Sequence, residues 1–196
     1  MTYVSSSLLI IGTVLYLLYA MPQVSRVKDR CIGAMILIAS GVLVHIGALD
    51  KFAYTLNYYT YMTLALLLLL LAVGDMVTYE LPVELLIFAY MLGAVVNIFN
   101  KDEAWYWHVL YAGIGYGIFY GLGKLLRGGL GNGDAHVIAI ITLNLGWTHT
   151  LMTILAALVI ASLVGIALMV LGGKSKKTVL PFVPFIAMAH FLLLMV

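Results

Sequence analysis

Charge is what this chain has least of: ten Lys and Arg and eight Asp and Glu in 196 residues, 9% of the sequence, with a net charge of +2. No basic stripe interleaved with aromatics is present, so no nucleic-acid partner is expected. Cysteine is nearly absent as well. The lone Cys31 excludes an internal disulfide framework and any zinc site built on paired CxxC motifs, and reads as a small apolar helix residue. His45, His108, His136, His149 and His190 are scattered without the His-Glu-x-x-His spacing of a zinc protease, so no metal and no cofactor are expected. A serine mechanism has no support either, because Ser5, Ser6 and Ser7 are terminal and no Gly-x-Ser-x-Gly elbow occurs. The first residues lack the positive n-region of a secretory signal, and the first apolar run is expected to be a retained helix.

What fills the chain instead is hydrocarbon. Hydrophobic residues make up 64% of the sequence and its mean hydropathy is +1.12, which defines an all-α polytopic integral membrane protein. Continuous apolar runs predict helices, since a membrane barrel would alternate polar and apolar residues. At about 20 apolar residues per crossing, polar interruptions divide the chain into eight expected spans near 4–22, 31–49, 57–74, 83–99, 105–123, 135–147, 150–172 and 179–196. The sixth is short. A single membrane-embedded domain over residues 1–196 is expected, with residues 1–56 generic and 57–196 carrying the motifs.

Short cytoplasmic loops carry the excess of Lys and Arg. With the N-terminus outside, the cytoplasmic loops hold Arg26, Lys28, Arg30, Lys124, Arg127, Lys174, Lys176 and Lys177, leaving Lys51 and Lys101 outside. That orientation puts these basic loops on the cytoplasmic side of the membrane. Tyr54, Tyr58, Tyr59 and Tyr61, with Trp105, Tyr106 and Trp107, then form an interfacial belt at the outer ends of the third and fifth spans.

Under this topology two acids meet at the cytoplasmic face. Asp75 ends the long leucine run of the third span, and Asp134 follows the glycine-rich stretch Gly128-Gly129-Leu130-Gly131-Asn132-Gly133 at the start of the sixth. An ionisable residue at the margin of a span is costly, which makes each a functional candidate. Two carboxyls a few ångströms apart share a proton, so one activates water while the other polarises a carbonyl. Taken singly, Asp75 reads as a solvated boundary residue and Asp134 as a helix N-cap. Pro82 suits the first turn of the fourth span. In the fifth span the stripe Gly113-x-x-x-Gly117-x-x-x-Gly121 is expected to let helices approach closely, with Gly115 and Gly123 on another face.

These residues resemble a known family. Asp75-x-x-Thr78-x-x-Leu81-Pro82 resembles the Asp-x-x-Thr-x-x-Ile-Pro signature of type IV prepilin peptidases, and Gly131-Asn132-Gly133-Asp134 is similar to that family's Gly-x-Gly-Asp. Leu180-Pro181-Phe182-Val183-Pro184-Phe185 resembles its Pro-Phe-Gly-Pro-Phe segment. The resemblance, over residues 60–196, implies an intramembrane aspartic endopeptidase that removes the leader of prepilins or pilin-like proteins. It implies that Asp75 and Asp134 are the catalytic pair, that Gly131 and Gly133 shape the loop beside them, and that membrane lipid and a pilin-like substrate are the partners. Three departures stand out. The loop from Pro22 to Arg30 lacks the CxxC insertion tied to methyl transfer, so that activity is not expected; His136 replaces a Lys; and Gly74 precedes the first Asp, expected to be harmless. His136 reads either as a boundary helix residue or as a group tuning the pair's proton affinity. Glu80 and Glu84 are candidates for attracting the basic stretch of a leader.

Three other readings compete. A presenilin-like Gly-x-Gly-Asp protease leaves Thr78, Leu81 and Pro82 without a place. An ion-coupled carrier needs acids at the midplane and an internal repeat. A non-enzymatic assembly subunit does not account for two motif-bearing carboxylates.

Overall fold

A computed structural model of the protein describes residues 56–78, 80–99, 105–125, 131–172 and 181–195. The first two expected spans, Cys31, Tyr54, and all the loop cations except Lys124 lie outside the described residues. Among the described residues the fold is all-helical, with α1 (Leu56–Thr78), α2 (Val83–Phe99), α3 (Trp105–Leu125), α4 (Asn132–Gly172) and α5 (Val183–Met195).

Leucine decides the interior. The run Leu64–Leu71 of α1 is buried on every side, at 9% exposure or less, so α1 is a central helix rather than an amphipathic one. The first half of α4 joins it there, with Ala135, Val137, Ile138, Ile140 and Ile141 fully buried against the α1 leucines and Val183 and Ile186 of α5. Helices α2 and α3 pack on α4 from outside, and α5 wedges between α1 and α4. The outward faces are as apolar as the core: Ile87, Phe88, Met91, Val95 and Ile98 of α2 are about half to two-thirds exposed, as are Leu155, Val159, Leu163 and Ile166 of α4. A water-soluble protein does not carry such continuous apolar faces, whereas lipid is the solvent that suits them.

At 1.5 Å per residue, α1 and α3 are each roughly 30 Å long or slightly more, the thickness of a hydrocarbon core. The stretch Asn132–Ile166 of α4 is the one described helix with both the length and the apolarity to cross a membrane, and Thr60–Met76, Val83–Ile98 and Val183–Leu194 are shorter apolar helices. Two expected spans, 135–147 and 150–172, run together as α4, but the helix is broken at Gly146, where φ is 77° and ψ is 175°. Only glycine takes that conformation without strain. The expected division therefore exists as a break inside one element rather than as a loop.

Helix α3 corrects another expectation. An added Cβ at Gly113, Gly117 or Gly121 would meet nothing within 4 Å, so among the described residues that stripe faces outward. The inward stripe is Ala112, Gly115 and Gly123, and a Cβ on Gly115 would touch Trp147 at 3.4 Å. Small residues recur at helical spacing on both faces, and the heavier partner across the interface picks one. Trp105, Tyr106 and Trp107 are half-exposed at the N-terminal end of α3 with their rings in mutual contact, an arrangement suited to an interfacial anchor.

Candidate active site

Asp75 lies in the last turn of α1, three residues before its end, in keeping with its expected place at the close of the third span. Only 8% of its surface is exposed. Its Oδ2 accepts the Val183 N–H at 3.1 Å. The reason is local to the Pro181–Pro184 segment. Phe182 offers its carbonyl to the N–H groups of Phe185 and Ile186 and so closes the first turn of α5. The amide of Val183, first residue of that helix, has no intrahelical acceptor and points outward. Asp75 thus ends one helix and sits on the N-terminus of another, whose dipole favours an anion.

Asp134 is 9% exposed and occupies the third position of α4. It is not the N-cap. Gly131 holds that place, and the two residues clasp each other: the Asp134 N–H donates to the Gly131 carbonyl at 3.2 Å while the Gly131 N–H donates to Asp134 Oδ2 at 2.9 Å. A third-position side chain reaching back to the cap amide is one half of a capping box, here filled by an aspartate. An added Cβ on Gly131 would stand 3.2 Å from that Oδ2.

Leu81 and Pro82 join the two acids. The Pro82 carbonyl takes the Leu86 N–H at 3.2 Å, which puts the proline at the cap of α2, one position ahead of the expected first turn. A Cβ on Gly74 would come within 3.2 Å of Pro82 Cδ, and one on Gly133 within 2.8 Å of Leu81 Cδ1. Gly74 therefore has a steric reason to be glycine beyond harmlessness, and Gly133 allows the α4 loop to lie directly on Leu81. All three motifs converge here: Gly74 beside Asp75 lies against Pro82, Gly133 beside Asp134 lies against Leu81, and Val183 of the third motif donates to Asp75.

The other candidates sit around this centre. Thr78 closes α1, and its side chain is outside the described atoms. Glu80 and Glu84 are exposed, Glu84 in the first turn of α2. His136 is half-buried between α2 and α3, its Nδ1 3.2 Å from the Tyr90 hydroxyl and its ring 4.7 Å from that of Tyr116. Tyr116 in turn reaches Asn132 Oδ1 at 3.4 Å and stacks on Tyr120, over which Lys124 lies. The Val183 amide was missed by sequence reasoning, because a backbone donor has no signature of its own. The resemblance of residues 180–185 to a family segment was the only signal available.

Fold and site together define a class: an all-helical membrane protein with two buried carboxylates brought together at helix ends. The chain belongs to the type IV leader peptidase family, whose sequence model matches residues 62–166, more than half of the chain and inclusive of both aspartates. It is 28% identical over 142 residues to the prepilin leader peptidase/N-methyltransferase of Bacillus subtilis (strain 168), covering 72% of this chain and 57% of that protein. It is 32% identical over 117 residues to the prepilin leader peptidase/N-methyltransferase of Pseudomonas putida, covering 57% of this chain and 41% of that protein. The chain thus spans about half the length of these curated relatives. No solved structure matches it.

Proposed function

We propose that this chain is an intramembrane aspartic endopeptidase that removes the leader peptide of prepilins or pilin-like proteins, with Asp75 and Asp134 as its catalytic pair. The observation that carries the reading is that these two buried acids, far apart in sequence and both inside the family match, stand on segments that pack on the same Leu81–Pro82 turn. Two carboxyls brought within a few ångströms of each other share one proton. The ionised member takes a proton from water as the oxygen attacks the scissile carbonyl, and the protonated member donates a hydrogen bond to the carbonyl oxygen. Collapse of the tetrahedral intermediate returns a proton to the leaving amine.

In this reading residues 1–196 form one membrane-embedded unit of eight spans with the N-terminus outside. The support is the Lys and Arg count, which puts both acids at the cytoplasmic face of the plasma membrane. Gly131 and Gly133 shape the loop, Thr78 and Pro82 the turn opposite, and the exposed Glu80 and Glu84 attract the basic stretch of a leader. The methyl-transfer part of the relatives' names is not proposed for this chain, whose single cysteine provides no paired CxxC. The decisive experiment incubates the purified protein in detergent with a prepilin and compares it with Asp75→Asn and Asp134→Asn. Both variants are expected to be inactive while still folded. Leader cleavage at the normal rate by either one sinks the assignment.

A further inference from the structure

The break at Gly146 separates α4 into a short rod, residues 132–145, that carries Asp134 and a longer helix, residues 147–172. Helix continuity no longer sets where the rod stands. At its far end the Leu143 carbonyl, whose helical partner would be the Trp147 amide across the break, is reached from two other helices. Asn97 of α2 donates through Nδ2 at 2.6 Å, and His108 of α3 lies with Nδ1 at 3.2 Å, which makes that nitrogen the protonated one. Asn97 is buried and gives its amide also to the Gly93 carbonyl one turn back, at 2.7 Å. The His108 ring closes over the break, with Cε1 3.6 Å from where a Cβ of Gly146 would stand. On the facing side, a Cβ on Gly93 would lie 2.7 Å from Asn144 Nδ2 and 2.9 Å from Leu143 Cδ2, so the α2 backbone at Gly93 rests directly on these two side chains of the rod.

We propose that Asn97, seconded by His108, is a positioning residue for Asp134: by holding the Leu143 carbonyl it fixes the height and rotation of the rod and hence the placement of Asp134 against Asp75. This rests on the catalytic-pair reading above. Leu143 is nine residues from Asp134, about 14 Å along a helix axis, and a helix of this length moves as one body. At its other end the rod is seated by Gly133 on Leu81 and by His136 between Tyr90 and Tyr116. Those contacts are a steric fit and hydrogen bonds from one side chain, Tyr90 of α2. A carbonyl held by two donors from different helices in apolar surroundings has one satisfactory register, since a shift leaves buried polar groups unpaired.

The test compares wild type, Asn97→Leu, His108→Leu and Asp134→Asn in detergent with a prepilin substrate. Asn97→Leu keeps the volume and removes both bonds; it is expected to lose roughly 10- to 100-fold in kcat with KM changed by less than about twofold. His108→Leu removes the longer of the two bonds to the Leu143 carbonyl and decides the matter where Asn97→Leu does not fold; its expected loss in kcat is about three- to tenfold. A second readout needs no activity: spin labels at Met76, beside Asp75, and at Asn132, beside Asp134, both exposed, in a Cys31→Ser background. The distance distribution is expected to be narrow in wild type and shifted or broadened in Asn97→Leu. Wild-type kcat and an unchanged distribution in folded Asn97→Leu, or a rise in KM alone, overturn the inference. With Asp134→Asn inactive in the same assay, such a result leaves the catalytic pair standing. Normal cleavage by Asp134→Asn removes the pair instead, and the distance readout then still judges the clamp.

Discussion

Replacing Gly133 by alanine is the sharpest probe of how the two acid-bearing motifs fit together. The new Cβ would stand 2.8 Å from Leu81 Cδ1 and 3.0 Å from its Cγ. Carbon atoms prefer about 3.5–4.0 Å, so Leu81 and the first turn of α4 must separate by roughly half an ångström or more. Overpacking of this kind costs about 1–3 kcal/mol. Gly133 is the second residue of α4, outside the helix interior where replacing glycine returns about 1 kcal/mol, so the cost stays at about 1–3 kcal/mol. Where the displacement falls on Asp134, the neighbour of Gly133 in the chain, that cost corresponds to a roughly 5- to 150-fold lower kcat. The assay is leader cleavage under saturating substrate, read beside thermal unfolding of the same preparations. Leu81→Ala opens the space the methyl needs, so Gly133→Ala combined with Leu81→Ala is expected to be faster than Gly133→Ala alone. Wild-type kcat in Gly133→Ala refutes the argument. A double variant as slow as the product of the two single effects refutes it too, since residues in contact do not add.

Three further outcomes follow from the same contacts. Val183→Pro deletes the amide that Asp75 accepts at 3.1 Å while proline suits the first position of a helix, so kcat is expected to fall about tenfold or more with the melting midpoint nearly unchanged; a wild-type rate would show that the bond does not matter. Gly115→Leu drives a side chain into Trp147 and Thr142 and is expected to destabilise by about 1–3 kcal/mol, whereas Gly117→Leu meets open space and is expected to be silent in thermal unfolding; the reverse order would restore the outward stripe as the packing face. Reversing the charge of Glu80 and Glu84 is expected to slow cleavage of a basic leader more than of a neutralised one, and equal slowing of both would exclude the electrostatic role.

The bounds of α2 were legible to the residue, because Pro82 marks its start and the apolar run from Val83 to Phe99 has no polar interruption long enough to be a loop. Asp75 and Asp134 were legible for the opposite reason: charge is so scarce in this chain that each acid stands out. Other features depend on partners dozens of residues away. Asn97 and His108 look like stray polar residues in apolar spans until the Gly146 break releases a carbonyl between them. Nothing in the alternation of small residues along α3 says which stripe is inward, since that choice belongs to Trp147 on another helix. The division at Gly146 was anticipated within a few residues, between expected spans ending at 147 and starting at 150, and only the backbone angles show that it is a kink at a glycine rather than a loop.

Both aspartates are anchored by main-chain nitrogen: Val183 for one, Gly131 for the other. Every amino acid except proline supplies the same donor, so the anchoring is written in the course of the chain rather than in the side chains beside it. A site secured in this way is robust to drift. Substitutions at position 183 change bulk and packing but leave the amide in place. Its weak points are changes that bend the backbone or push two segments apart, and these fall at glycine and proline.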